Sequence, residues 1–425
     1  MASIGNTDCQ GTSSAPGIAI VGAGAAGCFA AVELAGLMPQ ARITVFESGK
    51  VPLSKVAVTG GGRCNITNSF RDVTRLEEVY PRGHRLVKKA FSVLGPEDTF
   101  RWWESAGVRL TVQDDQCVFP VSQDAMQVVR TLLRMMRERG VELRCGTRVL
   151  SVDGRSVVLS DGPQEFDAVL LTVGGKSLHA LTQMLPGDVG ITDPVPSLFT
   201  LRIGDDSLRS LMGTVVRDAT LAIPGTPFRS RGALLLTDWG VSGPATLKLS
   251  SYAARCLADS QYRCKLLVGW MGSGEQAVRD LLAGMSGTAD IRGKLVTSVH
   301  PEALSSRLWR HLLVRAGVPT DLRWADLSGR TLNRLVNTLC TDEYEVTGRA
   351  AFKEEFVTCG GVALPGVVSS TLECRAHPGL FFAGEVLDVD AVTGGFNLQA
   401  AWSTAALAAR GIAAAVLSGQ HETNQ

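Results

Sequence analysis

Gly22-Ala23-Gly24-Ala25-Ala26-Gly27 is a glycine spacing that lets a main chain touch a phosphate. Gly22 permits a tight turn, Gly24 lets the backbone approach a pyrophosphate, and Gly27 lets the following helix pack close to its strand. Glu47 stands about 20 residues further on, where its carboxylate can accept hydrogen bonds from ribose hydroxyls. The same carboxylate repels a 2′-phosphate, so the spacing expects an ADP-ribose-like group rather than NADP. Small residues also pack helices for no chemical reason. Strand, helix, second strand and terminal glutamate together favour the nucleotide.

A second glycine-rich segment, residues 379–405, nearly closes the chain. Gly384 and Glu385 sit at the end of a buried strand, and Gly394-Gly395-Phe396-Asn397 opens a helix. Free N–H groups at that helix start carry partial positive charge. They suit a flavin, whose reduced ring is negative at N1 and O2. The bland reading is an ordinary capped helix, although Ser or Asp would cap at lower cost than a glycine doublet. Two such ends imply one extended ligand held by both termini.

Between them, Thr59-Gly60-Gly61-Gly62-Arg63-Cys64-Asn65 offers a backbone able to press on a flat ligand. Arg63 could hold a phosphate or balance a developing anion, and Asn65 could donate an amide hydrogen bond. A surface loop held by local Asn turns fits the same residues. Cys64 has no partner nearby in sequence and reads as a packed cysteine rather than a redox thiol. The apolar run 166–172 ends in Gly174-Gly175, which fits either a second approach to the nucleotide or a plain strand-to-turn junction.

These residues need elements to hold them. Residues 18–22, 25–37 and 42–47 read as strand, helix and strand, and 124–139 as an amphipathic helix. Two short strands follow, 141–145 and 148–152, with Gly146 at the turn. Prolines then punctuate strand-like runs at 198–203, 215–223 and 232–237. Helical patterns cover 275–285, 301–316 and 329–339, with Pro301 at a first helical position. Strand returns at 344–350 and 355–358. The cofactor domain is thus split, with β-rich and helical parts inserted. At 425 residues the chain is too long for one core.

A formal net charge of +1 supplies no broad field, which argues against nucleic acid or a membrane surface as partner. No uncharged apolar run reaches the roughly 18 residues that span a bilayer. The polar start, residues 1–17, reads as a disordered leader lacking a secretory signal. Ten scattered cysteines without a C-x-x-C pair point to a reducing cytoplasmic setting, and no histidine spacing suits a metal.

The G-A-G-A-A-G turn with Glu47, T-G-G-G-R-C-N-I-T-N (59–68), T-D-W-G-V-S-G-P-A-T-L-K-L-S (237–250), E-E-F-V-T-C-G-G-V (354–362) and the 379–403 segment carry a resemblance. The chain resembles the bacterial FAD-dependent flavoproteins that include aminoacetone oxidase and the bile-acid reductase BaiN, the YhiN-like NAD(P)/FAD-dependent oxidoreductases. The resemblance spans residues 18–414. It implies an α/β fold: a split Rossmann-like FAD-binding domain of glutathione-reductase type (18–193 and 351–425), a β-rich domain (194–270 and 341–350) and a helical cap (271–340).

Carried over, Gly22, Gly24, Ala25 and Ala26 line the pyrophosphate and Glu47 the ribose, while Val149 gives backbone contacts to adenine. Gly61, Gly62, Arg63, Cys64 and Asn65 face the flavin side, and Gly174, Gly384 and Gly395, read above from their strand ends and helix start, join the cofactor-binding set. Glu385, Asn397 and Leu398 hold the ribityl chain and the pyrimidine edge. Two departures stand out. Ala391 replaces a usual glycine, and the glycine-rich stretch the family carries after Ser177 is missing.

The function expected is hydride transfer between a small organic substrate and flavin N5, with Arg63 and Asn65 as candidate catalytic groups. Transient NAD(P)H or dioxygen would serve as the second substrate, because no second dinucleotide fingerprint exists. Two other readings stay open: a flavin-binding module with little turnover, and a tRNA-modifying flavoenzyme.

Overall fold

The computed structural model describes residues 15–350 and 357–423. Most of the polar leader and the start of the 354–362 motif lie outside the described residues. Five parallel strands form the central sheet, in the order Leu380–Phe382, Ala168–Leu171, Gly17–Val21, Arg42–Glu47, Glu142–Cys145. The first three are apolar and buried along their whole length, as strands covered on both faces must be. Helix Ala25–Leu37 packs against the long C-terminal helix Phe396–Thr423. That helix is long and apolar enough to cross a membrane, yet 78% of its most apolar window is buried inside the protein, so it is a core helix.

A closed antiparallel barrel forms a second body. Its strands run Leu201–Ile203, Gly240–Ser242, Arg229–Leu236, Val215–Ala222, Cys264–Gly269 and Asp342–Arg349, the last pairing back to the first. Closure leaves no strand edge for another chain to pair with. Helices Glu275–Gly287, Ser306–Arg315 and Gly329–Thr341 are inserted between the last two strands. They share one apolar cluster with the barrel, built around Trp270, Trp309 and Trp324. At their seam the buried Asp342 carboxylate accepts from Trp270 Nε1 (3.0 Å), Tyr344 Oη (2.6 Å) and Arg315 Nε (2.9 Å), with His311 Nε2 3.3 Å from Tyr344 Oη. The antiparallel ribbon Ile191–Ser197 with Val357–Val362 joins this body to the central sheet.

Several elements differ from their sequence patterns. The run before the triple glycine is helix, Ser54–Gly62, broken where Thr59 turns extended and Gly60 and Gly61 take φ of 59° and 69°. Residues 141–145 and 148–152 are not neighbours: Glu142–Cys145 edges the parallel sheet, whereas Ser151–Asp153 opens a separate antiparallel ribbon. Pro301 does not start a helix. It sits in a turn closed by Leu304 N–H, and the helix begins at Ser306, where Ser305 Oγ accepts from Leu308 N–H (3.4 Å). The expected strand 198–203 is shortened to Leu201–Ile203, with Leu198 at φ 59° just past the ribbon strand that ends at Ser197.

Candidate flavin site

The glycine turn divides its labour. Gly22 adopts φ 108°, and a Cβ there would press on the Thr172 carbonyl. A Cβ at Gly27 would overlap the Gly22 carbonyl oxygen, whereas at Gly24 it would meet nothing within 4 Å. So Gly27 serves packing and Gly24 keeps a face open. No side chain caps the helix that begins at Ala25. Its first N–H groups, with the dipole behind them, form an anion seat. Ala26 is buried against Gly384, where a Cβ would stand 2.6 Å from that of Ala26, so small residues weld the two chain halves at this point.

Glu47 borders the same turn. Its Oε2 accepts from Ala23 N–H (2.9 Å) and its Oε1 from Gly49 N–H (2.7 Å). The chain at 146–147 runs alongside, with Thr147 N–H bonded to Glu47 O (2.9 Å), and Val149, two residues on, is buried.

Glu385 lies at the far side. Its carboxylate accepts from Lys55 Nζ (3.0 Å), Gly175 N–H (3.2 Å) and Thr358 N–H (3.2 Å). The glycine doublet is explained by this arrangement. A Cβ at Gly174 would overlap Glu385 Oε2, and one at Gly175 would come within 2.7 Å of Lys55 Nζ.

The triple-glycine segment presents bare backbone. Gly61 and Gly62 have nothing within 4 Å of where a Cβ would stand. Arg63 is exposed, its guanidinium 4.3 Å above the Phe119 ring centroid and its Nε bonded to Gly60 O (3.2 Å). Cys64 is buried, and burial pushes its thiol up to about 12, so it stays protonated at neutral pH. Asn65 donates its amide toward Cys117, while its Oδ1 is buried without a partner.

That orphaned oxygen points to the start of the C-terminal helix: a Cβ at Gly395 would be 2.7 Å from it. Asn68 Nδ2 donates to Gly394 O (3.0 Å), Trp402 Nε1 to Ile66 O (3.0 Å), and Thr67 Oγ1 to the buried Gln399 (2.5 Å). The Asn397 side chain bonds back onto Ala391, accepting from its N–H (2.9 Å) and donating to its carbonyl (3.0 Å). With its side chain so engaged, Asn397 offers its backbone N–H, beside that of Leu398, in the first turn of this helix. Ala391 is buried beneath this bond.

The segment after Ser177 forms a short turn and helix, Leu181–Met184, with Leu178 and Leu181 buried in the core. Among the described residues no cluster of His, Cys, Asp and Glu could hold a metal ion. Lys55, Thr172 and Arg82 carry no signal in the sequence pattern. Gln399 does, as a polar residue inside an otherwise apolar helix.

Two helix starts, three bare glycine faces and an unpaired buried acceptor fit an extended dinucleotide with a flat ring at one end. The fold and site define an FAD-dependent oxidoreductase of Rossmann type. Residues 16–411 match the family described as HI0933-like protein Rossmann domain, and the chain belongs to that family. It is 30% identical to the ribosomal RNA dihydrouridine synthase of Escherichia coli, over 93% of this chain and 98% of that one. It is 28% identical to the 3-dehydro-bile acid delta(4,6)-reductase of Clostridium scindens, again over 93% and 98%. Among solved structures, the E. coli quinol fumarate reductase subunit FrdA superposes with a TM-score of 0.47 at 15% identity, covering 95% of this chain and 71% of that one.

Proposed function

We propose that the protein reduces a carbon–carbon double bond conjugated to a carbonyl. The observation that carries this reading is the bare backbone of Gly61 and Gly62 beside an exposed Arg63, at the end of the site where the C-terminal helix begins. FAD, held by these residues, would supply the hydride chemistry, with NAD(P)H as the reductant. The chain must stabilise the charge that gathers on the carbonyl oxygen when hydride reaches the β-carbon, and solvent supplies the proton that the α-carbon then takes up. Arg63 is suited to stabilising that charge, because stacking on Phe119 fixes a cation at the rim without neutralising it. Asn65, with its unpaired oxygen, orients the ring.

Two relatives support the substrate class. Their names, a bile acid delta(4,6)-reductase and an RNA dihydrouridine synthase, both denote removal of a double bond conjugated to a carbonyl. The roles of Gly22, Gly24, Ala25, Ala26 and Glu47 toward the ADP half, and of Gly174, Gly384, Glu385, Gly395, Asn397 and Leu398 toward the flavin half, belong to the same proposal. The net charge of +1 describes the whole chain, so an RNA substrate is tested directly.

The holoenzyme is reduced anaerobically with NADH or NADPH and then mixed with a 3-oxo-4-ene steroid or with ribosomal RNA. Return of the oxidised flavin band with a saturated product is expected from one of them. Reoxidation by dioxygen alone, with both acceptors inert, would overturn the reading in favour of an oxidase.

A further inference from the structure

Residues 79–83 form a strap over the segment that leads into the C-terminal helix. Val392 N–H donates to Val79 O (2.9 Å), and Tyr80 Oη donates to the Phe396 carbonyl (2.8 Å). Arg82 and Asp390 face each other as an antiparallel bridge. Gly83, at φ 75°, lies so near that a Cβ would overlap the Val389 side chain.

Inside this strap, Arg82 grips Asp390 with both arms of its guanidinium: Nε donates to Oδ1 and Nη2 to Oδ2. The Asp390 side chain is fully buried and that of Arg82 is 15% exposed. Among the described residues each has one further hydrogen-bond partner. Arg82 Nη2 donates to Ser251 O (2.8 Å), at the end of helix Pro244–Tyr252, which packs on the barrel. Asp390 accepts from Ser197 Oγ (3.1 Å), at the end of the ribbon strand that leaves the central sheet. Two residues before it, Asp388 pairs with Arg255 of helix Ala254–Asp259 (2.8 Å).

A buried ion pair is a poor way to gain stability, since desolvation of both charges offsets their attraction. An apolar pair of similar volume would hold the core as well. A forked pair adds fixed geometry, because two parallel hydrogen bonds set angle as well as distance. Here the fixed parts are the segment leading into the C-terminal helix and the helices packed on the barrel.

We propose that Arg82 and Asp390 are positioning residues for the flavin, fixing the amino end of the C-terminal helix relative to the barrel. The proposal rests on FAD binding and not on the identity of the substrate. A helix start that drifts loses alignment with the ring, and the loss is greatest when the ring carries negative charge.

The test compares wild type with Arg82→Met/Asp390→Leu and with Arg82→Lys. FAD affinity is read by titration calorimetry, and the oxidised–reduced balance of bound flavin is read against a reference dye. The double variant is expected to keep the wild-type far-UV circular dichroism and a cooperative melt. It should bind FAD roughly tenfold more weakly, with the dye equilibrium moved about tenfold toward oxidised flavin, each the equivalent of one unit in log K. Arg82→Lys keeps the charge without the fork and should move both readouts the same way. A folded double variant with wild-type affinity and dye equilibrium would overturn the proposal. Should the double variant fail to fold, Arg82→Lys decides alone: wild-type values for both readouts overturn it, and a shift supports it.

Discussion

Lys55 and Glu385, separated by most of the chain, meet at 3.0 Å over the Gly174-Gly175 doublet. One comes from helix Ser54–Gly62, the other from the turn that follows the last sheet strand. The doublet that reads as ambiguous in the sequence is the room this pair requires. Gly174→Ala should displace the Glu385 carboxylate at a cost of about 1–3 kcal/mol and lower the flavin content of purified protein. Thermal melts and the ratio of flavin to protein absorbance check both effects. An unchanged ratio would show that Glu385 does not serve the cofactor.

The glycine turn offers a discriminating pair of variants. Gly27→Ala forces a methyl into the Gly22 carbonyl and should destabilise the apoprotein by several kcal/mol, at or beyond the upper end of ~1–3 kcal/mol overpacking costs. Gly24→Ala meets open space, so apoprotein stability should stay within about 0.5 kcal/mol while FAD affinity falls. Equal effects of the two on melting temperature would contradict the division of roles.

Asn65→Ala removes a buried oxygen that has no partner among the described residues. Leaving such a group unpaired costs about 1–3 kcal/mol, so the apoprotein should lose little or even gain stability. Holoprotein stability should fall instead. Denaturation with and without FAD separates the two, and a loss of equal size in both would sink the assignment of Asn65 to the ligand.

The seam between barrel and inserted helices should sense pH. Burial, reinforced by the Arg315 guanidinium, pulls the His311 imidazole below its ordinary value. The unfolded chain therefore binds a proton that the folded chain resists, and stability rises with pH. This contribution is complete above pH ~6.5 and is lost as pH falls toward the depressed folded value. Chemical denaturation at pH 8 and pH 5 should show a larger drop for wild type than for His311→Gln. Identical drops would refute the role of His311.

Cys64 should resist alkylation at pH 8 in the folded protein, since burial holds its thiol at about 12, while the exposed Cys145 labels first. Mass spectrometry of iodoacetamide-treated protein reads the order. Early labelling of Cys64 would revive a thiol chemistry the structure speaks against.

Much of the cofactor half is legible in the sequence because both-face burial writes itself as unbroken apolar runs, as in Ala168–Leu171. The glycine turn is legible because each of its positions answers a steric demand. The helix Ser54–Gly62 is not: valines and three glycines disfavour helix locally, and tertiary contact, including Leu53 N–H to Ala23 O (2.8 Å), overrides them. Nor does any pattern reveal that the Asn397 amide is engaged by Ala391, or that Lys55 reaches Glu385. Those facts exist only once the loop and the sheet have closed.

The order of the central sheet has a consequence for synthesis. Strand Gly17–Val21 is made well before the outer strand Leu380–Phe382 and the covering helix Phe396–Thr423 that complete its sheet. At ribosomal speeds of roughly 5–20 residues per second, the nascent sheet waits many seconds with an open edge and an uncovered apolar face. The flavin seat is completed at the same late moment. A nascent chain halted before helix Phe396–Thr423 therefore has an uncovered apolar sheet face and only part of the flavin seat.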